Sequence, residues 1–370
     1  MRKKELNTLA QEFVDNALGV KKGENVWVEH ADPNAWPLAQ AVMTRVTGLG
    51  AQAYVIDTGK DNLQKLLANA TEDDLKQIHD SRLAIMKQMD CYIRVRDNND
   101  SLLTPPDIAR IHNEITRDAT DYRVDNTRWL VVEAPTVHFA KACGMKKSDF
   151  NIYYTNACTV GYDKMARAVE PLKELMERTD RVRITGRETD LSFSIKDIGV
   201  KPCIGLRNRP DGECYSAPVI DSVNGTILHV PSNYFGEFFS GIKLTYKDGR
   251  IIDAKAENDE RTAALNKIFD TDAGARYVGE FAIAFHPTIL HPMGSSLFDE
   301  KIAGSIHFTP GQCYTAADNG NKSKIHWDLV HIQRPEYGGG EIYFDDKLIR
   351  KDGIFVLPEL QGLNPESLKL

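Results

Sequence analysis

Six residues between positions 213 and 328 are of types that bind divalent metals or move protons: Glu213, Glu280, His307, Tyr314, His326 and Asp328. His326 and Asp328 flank Trp327 in the alternating run IHWDLVHI. Residues two apart in an extended strand point to one side, so an imidazole and a carboxylate project together. His307 lies in another short extended run, Gly304 to Phe308. Imidazole and carboxylate are the usual protein ligands of zinc, iron, cobalt and manganese. Glu213 stands between a Pro-Asp-Gly turn and Cys214, and Glu280 opens the apolar run Phe281 to Phe285. A carboxylate bordering so apolar a strand is costly to bury without a cation. Singly, each residue has an ordinary explanation: a hydrogen-bonded His-x-Asp pair, a solvated turn at Glu213, an ion pair between Glu280 and Arg276. Together they form a donor set of three carboxylates, two imidazoles and a phenol. That set is enough for two divalent ions sharing one carboxylate. Paired ions polarise a carbonyl, acidify a water between them and hold a leaving group, which is the chemistry of hydrolysis.

These residues fall in the second half of the chain, and its texture differs from the first. In the first half an opening amphipathic helix is followed by the strands GENVWVEH, AQAYVID, CYIRVRD and RWLVVEAP. Helical stretches separate them: Asn34 to Thr47, Asn62 to Ala70, Thr71 to Met89 and Pro105 to Arg117. Strands alternating with helices predict an α/β domain with a largely parallel sheet. It carries neither GxGxxG nor GxxxxGK[ST], so no nucleotide fingerprint is present. Trp36, Trp129 and His138 read as core or interface residues. Lys147 to Arg178 is helical and charged. From Arg181 onward the chain becomes strand-rich, with RVRITG, TDLSFSI, GTILHVP and a hairpin signalled by the Asp-Gly of YKDGR. This predicts an α/β domain over 1–180 and a strand-rich α+β metal-binding domain over 181–370.

Length suits two domains, each with its own core. A net charge of −7 argues against a general nucleic-acid binder. Six scattered cysteines without a CxxC favour reduced thiols in a cytoplasmic protein. No apolar run is long enough to span a bilayer. Other candidates take structural roles: His286 and His291 belong to a loop, His331 faces away from His326, and Cys214 and Cys313 point away from the neighbouring acids.

The second half resembles the M29 family of metallo-aminopeptidases, the thermophilic aminopeptidase or aminopeptidase T group. The phrase Glu213-Cys214-Tyr215-Ser216-Ala217-Pro218 is similar to the family's E-x-[FY]-[TS]-A-P turn. Tyr277-Val278-Gly279-Glu280 matches its second glutamate. Asp299-Glu300-Lys301 leading into Gly304-Ser305-Ile306-His307 matches its first histidine, with Tyr314 seven residues on. His326-Trp327-Asp328 matches its His-x-Asp pair. LGVKKGENVWV extends a looser likeness into the first half. The interval from His307 to His326 is shorter than in the longer members, which bears on substrate preference. The resemblance implies a cytoplasmic, homodimeric exopeptidase acting on short peptides through two divalent ions (Zn, Co or Mn). Glu213, Glu280, His307, His326 and Asp328 would be ligands, with Glu280 bridging. Tyr314 would be a further ligand or a hydrogen-bond donor, and Glu213 or Glu280 would shuttle the proton. A related group opens a dihydroxypyridine ring with one Fe(II) and O₂, for which His307, His326 and Asp328 would suffice.

Overall fold

Val26, Trp27 and Val28 are wholly buried in the strand Asn25–His30, as a strand covered on both faces of a parallel sheet requires. It pairs in parallel with Gln52–Asp57 on one side and Cys91–Arg96 on the other. Arg128–Glu133 and the short Asn208–Arg209 continue the sheet, again in parallel. The helices Trp36–Gly48, Glu72–Met86 and Pro106–Asn126 lie between these strands in the chain. Thr71 caps the second of them by accepting from Asp74 N, while the Asp74 carboxylate accepts from Thr71 N. The expected parallel α/β layer is therefore what forms. This computed structural model describes residues 1–30, 33–57, 60–97 and 106–369. Pro105, the expected start of the third helix, lies outside them, and that helix runs on past Arg117 to Asn126.

The chain divides into two compact units, Met1–Thr159 with Gly205–Pro210, and Val160–Ile204 with Asp211–Leu370. The change of texture near residue 180 thus falls inside the second unit. The helix Tyr162–Glu177 gives Met165, Val169, Leu172 and Met176 to that unit's core.

The second unit holds an eight-stranded and a five-stranded sheet. The YKDGR signal does form a hairpin, Lys243–Lys247 with Arg250–Lys255. Asp248 and Gly249 take φ of +48° and +81°, as a tight turn joining right-twisted strands demands. Phe193 of the larger sheet packs against Phe281 and Phe308 of the smaller, with ring centroids 4.9 and 5.1 Å apart. Arg350, fully buried on the strand Lys347–Lys351, donates to the carbonyls of Ala284 and Ser305 and to Gln333 Oε1. It ties the larger sheet to two strands of the smaller one.

His229 and His331 are buried in this unit. Burial pushes their pKa values down from 6.5, to about 3 for His229, with His331 nearby, and to about 4 for His331. Both are neutral when folded and take up a proton on unfolding below about pH 6.5, so stability falls as pH drops from there toward 4. Each costs about 2 kcal/mol on going from pH 7 to 5. Urea unfolding of metal-free protein at the two pH values checks this. His229→Leu should lose about 2 kcal/mol less than the parent over that interval, and equal losses would show that His229 is not held neutral.

Candidate metal centre

The five-stranded sheet runs Leu329–Ile332, Ser305–Pro310, Val278–Ala284, Glu213–Ser216 and Lys201–Cys203, each pair antiparallel. Its register decides which side chains share a face. Ala282 lies opposite His307 on one side and Tyr215 on the other, Ala284 opposite Glu213, and Glu280 opposite Thr309. With a period of two, Glu213, Tyr215, Glu280, His307 and Thr309 stand on one face. Phe281, Ile283, Ile306, Phe308 and Cys214 turn the other way, into the core. Ala282 and Ala284 are small, which leaves room among the acids and imidazoles. A Cβ at Gly279 would stand 2.4 Å from the carbonyl oxygens of Gly311 and Gln312. Glycine there lets the chain leaving the strand Ser305–Pro310 lie close against the residue before Glu280.

The run IHWDLVHI is not a strand throughout, as its alternation suggested. The strand begins only at Leu329. Asn321 instead shapes the approach, its side-chain amide donating to the carbonyls of Gly274 and Gly311. An isolated bridge joins His326 to Gly311, and His326 Nδ1 donates to Gln312 O at 2.8 Å. That bond fixes the tautomer and turns Nε2 toward the acids. Trp327 points away and packs on Tyr234, Phe239 and Phe269. His326 and Asp328 still share a side, with Nε2 and Oδ1 3.3 Å apart. Thr309 Oγ1 donates to Asp328 Oδ1 at 2.8 Å.

Five of the six expected residues converge. Glu280 Oε1 lies 3.4 Å from His307 Nε2, and Glu280 Oε2 lies 3.3 Å from His326 Nε2. Glu213 Oε2 is 3.5 Å from His307 Nδ1. Two donor triplets result, Glu213–Glu280–His307 and Glu280–His326–Asp328, with Glu280 common to both. Donors about 2.1 Å from a tetrahedral ion stand about 3.4 Å from one another. The separations from Glu280 to Nε2 of the two histidines and from His326 to Asp328 match that spacing better than ordinary hydrogen bonds, while the Glu213 contact is to the other nitrogen of His307. Glu213 Oε2 and His326 Nε2 are moreover buried without a hydrogen-bond partner. The donor set fits divalent metal. Arg276, the alternative partner considered for Glu280, pairs with Asp270 at 2.6 Å instead.

The electrostatics agree. Burial drives the His307 pKa down, but Glu213 and Glu280 outweigh it and raise the pKa to about 10. His326 is likewise raised, by Asp328 and Glu280 against burial. Burial pushes Glu280 up, and the two histidines more than reverse this, leaving it below the usual carboxylate range. Asp328 is lowered too, with His326 outweighing burial. Glu280, Asp328 and the two imidazoles thus hold one another charged, whereas burial outweighs Lys301 and His307 at Glu213 and raises its pKa.

Tyr314, the sixth residue, packs its ring on His326 at 4.8 Å and on Tyr215 at 5.6 Å. Burial of its hydroxyl, with Glu280 and Asp328 near, raises its pKa well above 10. His286, His291 and His331 stay outside the cluster: His291 Nδ1 meets Tyr337 Oη at 3.1 Å, and His331 Nδ1 donates to Leu228 O at 2.7 Å.

Sequence reasoning assigned no role to Glu300, Lys301 or Asp211. Lys301 is 1% exposed and pairs with Glu213, with Glu300 at 2.8 Å and with Asp211 at 3.4 Å. Burial, with Asp328 and Glu213 adding to it, pushes the Glu300 pKa up to about 8 despite Lys301. The one available signal was the crowding of Asp299, Glu300 and Lys301 just before the apolar strand of His307.

The profile of the Peptidase_M29 family, thermophilic metalloproteases, matches residues 2–337. Aminopeptidase AmpS of Bacillus subtilis (strain 168) is 25% identical over 366 residues, 88% of each chain. Aminopeptidase 2 of Geobacillus stearothermophilus is 25% identical over 95% of each. Among solved structures, wild-type AmpT from Thermus thermophilus aligns with a TM-score of 0.80 at 21% identity, over 96% of this chain and 100% of that one. The 2,5-dihydroxypyridine dioxygenase of Pseudomonas putida KT2440 aligns at 0.65 and 15% identity, over 98% and 99%. Both structural likenesses show a shared fold.

Proposed function

The chain belongs to the M29 family of thermophilic metalloproteases and is a hydrolase of the metallo-aminopeptidase type, and we propose that it releases N-terminal residues from short peptides using two divalent ions, Zn, Co or Mn. The observation that carries this reading is Glu280, whose two oxygens face two different histidines. Glu213 and His307 would hold one ion, His326 and Asp328 the other, and Glu280 both. Two ions there would polarise the peptide carbonyl and lower the pKa of a water between them.

The chain's own groups supply the rest. The Tyr314 hydroxyl donates to the oxygen on which charge develops as the carbonyl is attacked. Glu213 has one oxygen on Lys301 and the other toward His307, and Glu280 has both toward the histidines, so in this reading neither is spare to carry a proton. Glu300, with one oxygen on Lys301 and its pKa raised to about 8 by burial, would take the proton from water through its other oxygen and return it to the leaving amine. Among the described residues no helix is long and apolar enough to cross a membrane. Six free cysteines suit a reducing compartment, so this reading takes the enzyme as cytoplasmic, and the family resemblance implies a homodimer.

A single-Fe(II) oxygenase would need only His307, His326 and Asp328. The burial of Glu213 and Glu280 against those histidines favours the two-ion hydrolase. A panel of aminoacyl-p-nitroanilides, assayed after chelation and again with Zn²⁺, Co²⁺ or Mn²⁺ restored, tests the choice. Metal-restored release from free but not N-acetylated substrates is expected. Fe(II)- and O₂-dependent ring opening without anilide release would replace this reading with the oxygenase.

A further inference from the structure

We propose that Lys301 is a fixed internal cation of the site: its ammonium takes the place of a third metal ion between Cys203, Asp211 and Glu213, and selects the oxygen of Glu213 that faces the metals. The inference rests on the two-ion reading above.

Three carboxylates surround this ammonium. Nζ pairs with Glu213 Oε1, stands 2.8 Å from Glu300 Oε1 and 3.4 Å from Asp211 Oδ1. Lys301 and Asp211 are each 1% exposed and Glu213 is 4% exposed, so water does little to screen them. Beyond the two triplets of the metal centre there is a third group of converging donors, Cys203, Asp211 and Glu213, whose ligand atoms lie within 4.8 Å of one another. A thiol with two carboxylates is a competent donor set for a divalent ion. Here a covalently tethered cation already satisfies two of its three members. A second cation in the same space would meet the ammonium at close range in a medium of low dielectric, which is strongly unfavourable.

The consequence for the metal centre lies in Glu213. Lys301 holds Oε1, while Oε2 is buried without a hydrogen-bond partner, 3.5 Å from His307 Nδ1. Glu213 therefore offers one oxygen only and serves one ion, which leaves Glu280 as the carboxylate that joins the pair. Lys301 acts through Glu213 and is a positioning residue.

Titration of metal-free protein with Co²⁺, read as bound equivalents and as near-ultraviolet thiolate-to-cobalt absorption, tests the proposal. The parent protein should take two equivalents without a thiolate band, and Cys203→Ser should leave both readings unchanged. Lys301→Met should take a third equivalent, with Cys203 losing its proton to solvent and binding as thiolate, so that the band appears. Adding Cys203→Ser to Lys301→Met should remove both the band and the third equivalent. If Lys301→Met folds only when Co²⁺ is supplied, the same band is read on protein refolded with it. A thiolate band in the parent protein, or two equivalents and no band in Lys301→Met, would overturn the proposal. Parent protein saturating at one equivalent would contradict the two-ion reading instead, and the appearance of the band on removing Lys301 would still decide the role of the lysine.

Discussion

Replacing Glu280 with glutamine is expected to empty both ion sites together and to lower kcat/KM by roughly 10³-fold or more. Its oxygens lie 3.4 and 3.3 Å from Nε2 of His307 and His326, and glutamine offers a single uncharged oxygen in their place. Removing a group that merely orients a metal ligand costs about 10- to 100-fold in affinity or activity, and a ligand common to two ions should cost more. Glu213→Gln and Asp328→Asn give the contrast. Of the two triplets that share Glu280 each belongs to one, so each should lose one ion and keep the other. Elemental analysis of the three variants alongside anilide kinetics reads the pattern. Glu280→Gln retaining one tightly bound ion would mean that the carboxylate is not shared.

Tyr314→Phe is expected to lower kcat by roughly 10²- to 10³-fold while leaving KM and metal content near their parent values. The ring keeps its stacking on His326 and Tyr215, so phenylalanine preserves the packing and removes only the hydroxyl. A donor that acts on charge developing in the transition state shows in kcat. A phenolate that held an ion would show in metal content instead. Loss of an ion from Tyr314→Phe would reassign Tyr314 as a ligand.

Much of this architecture was legible in the sequence because it rests on local rules. The strand and helix alternation of the first half and the Asp-Gly hairpin both follow from patterns a few residues long. The converging acids and histidines were legible by residue type and by family resemblance. How they converge was not. The facing of Glu213, Glu280 and His307 depends on the register of three strands distant in the chain, and no local pattern encodes register. His326 and Asp328 share a side for a reason other than the one the alternation suggested. Their segment is an irregular approach held by Asn321 and Gly311, and only the following residues form a strand. Lys301 and Glu300 escaped notice because a charged pair ahead of a strand is usually solvated. Their burial comes from acids contributed by another part of the chain.

The central claim is that two divalent ions share this site through Glu280, and stepwise reconstitution tests it most directly. Metal-free protein is titrated with Mn²⁺ or Co²⁺ while bound metal and anilide hydrolysis are followed together. The account predicts full activity only as the second equivalent binds, with a plateau at two ions per chain. A plateau at one ion per chain, with full peptidase activity or with none, would contradict it.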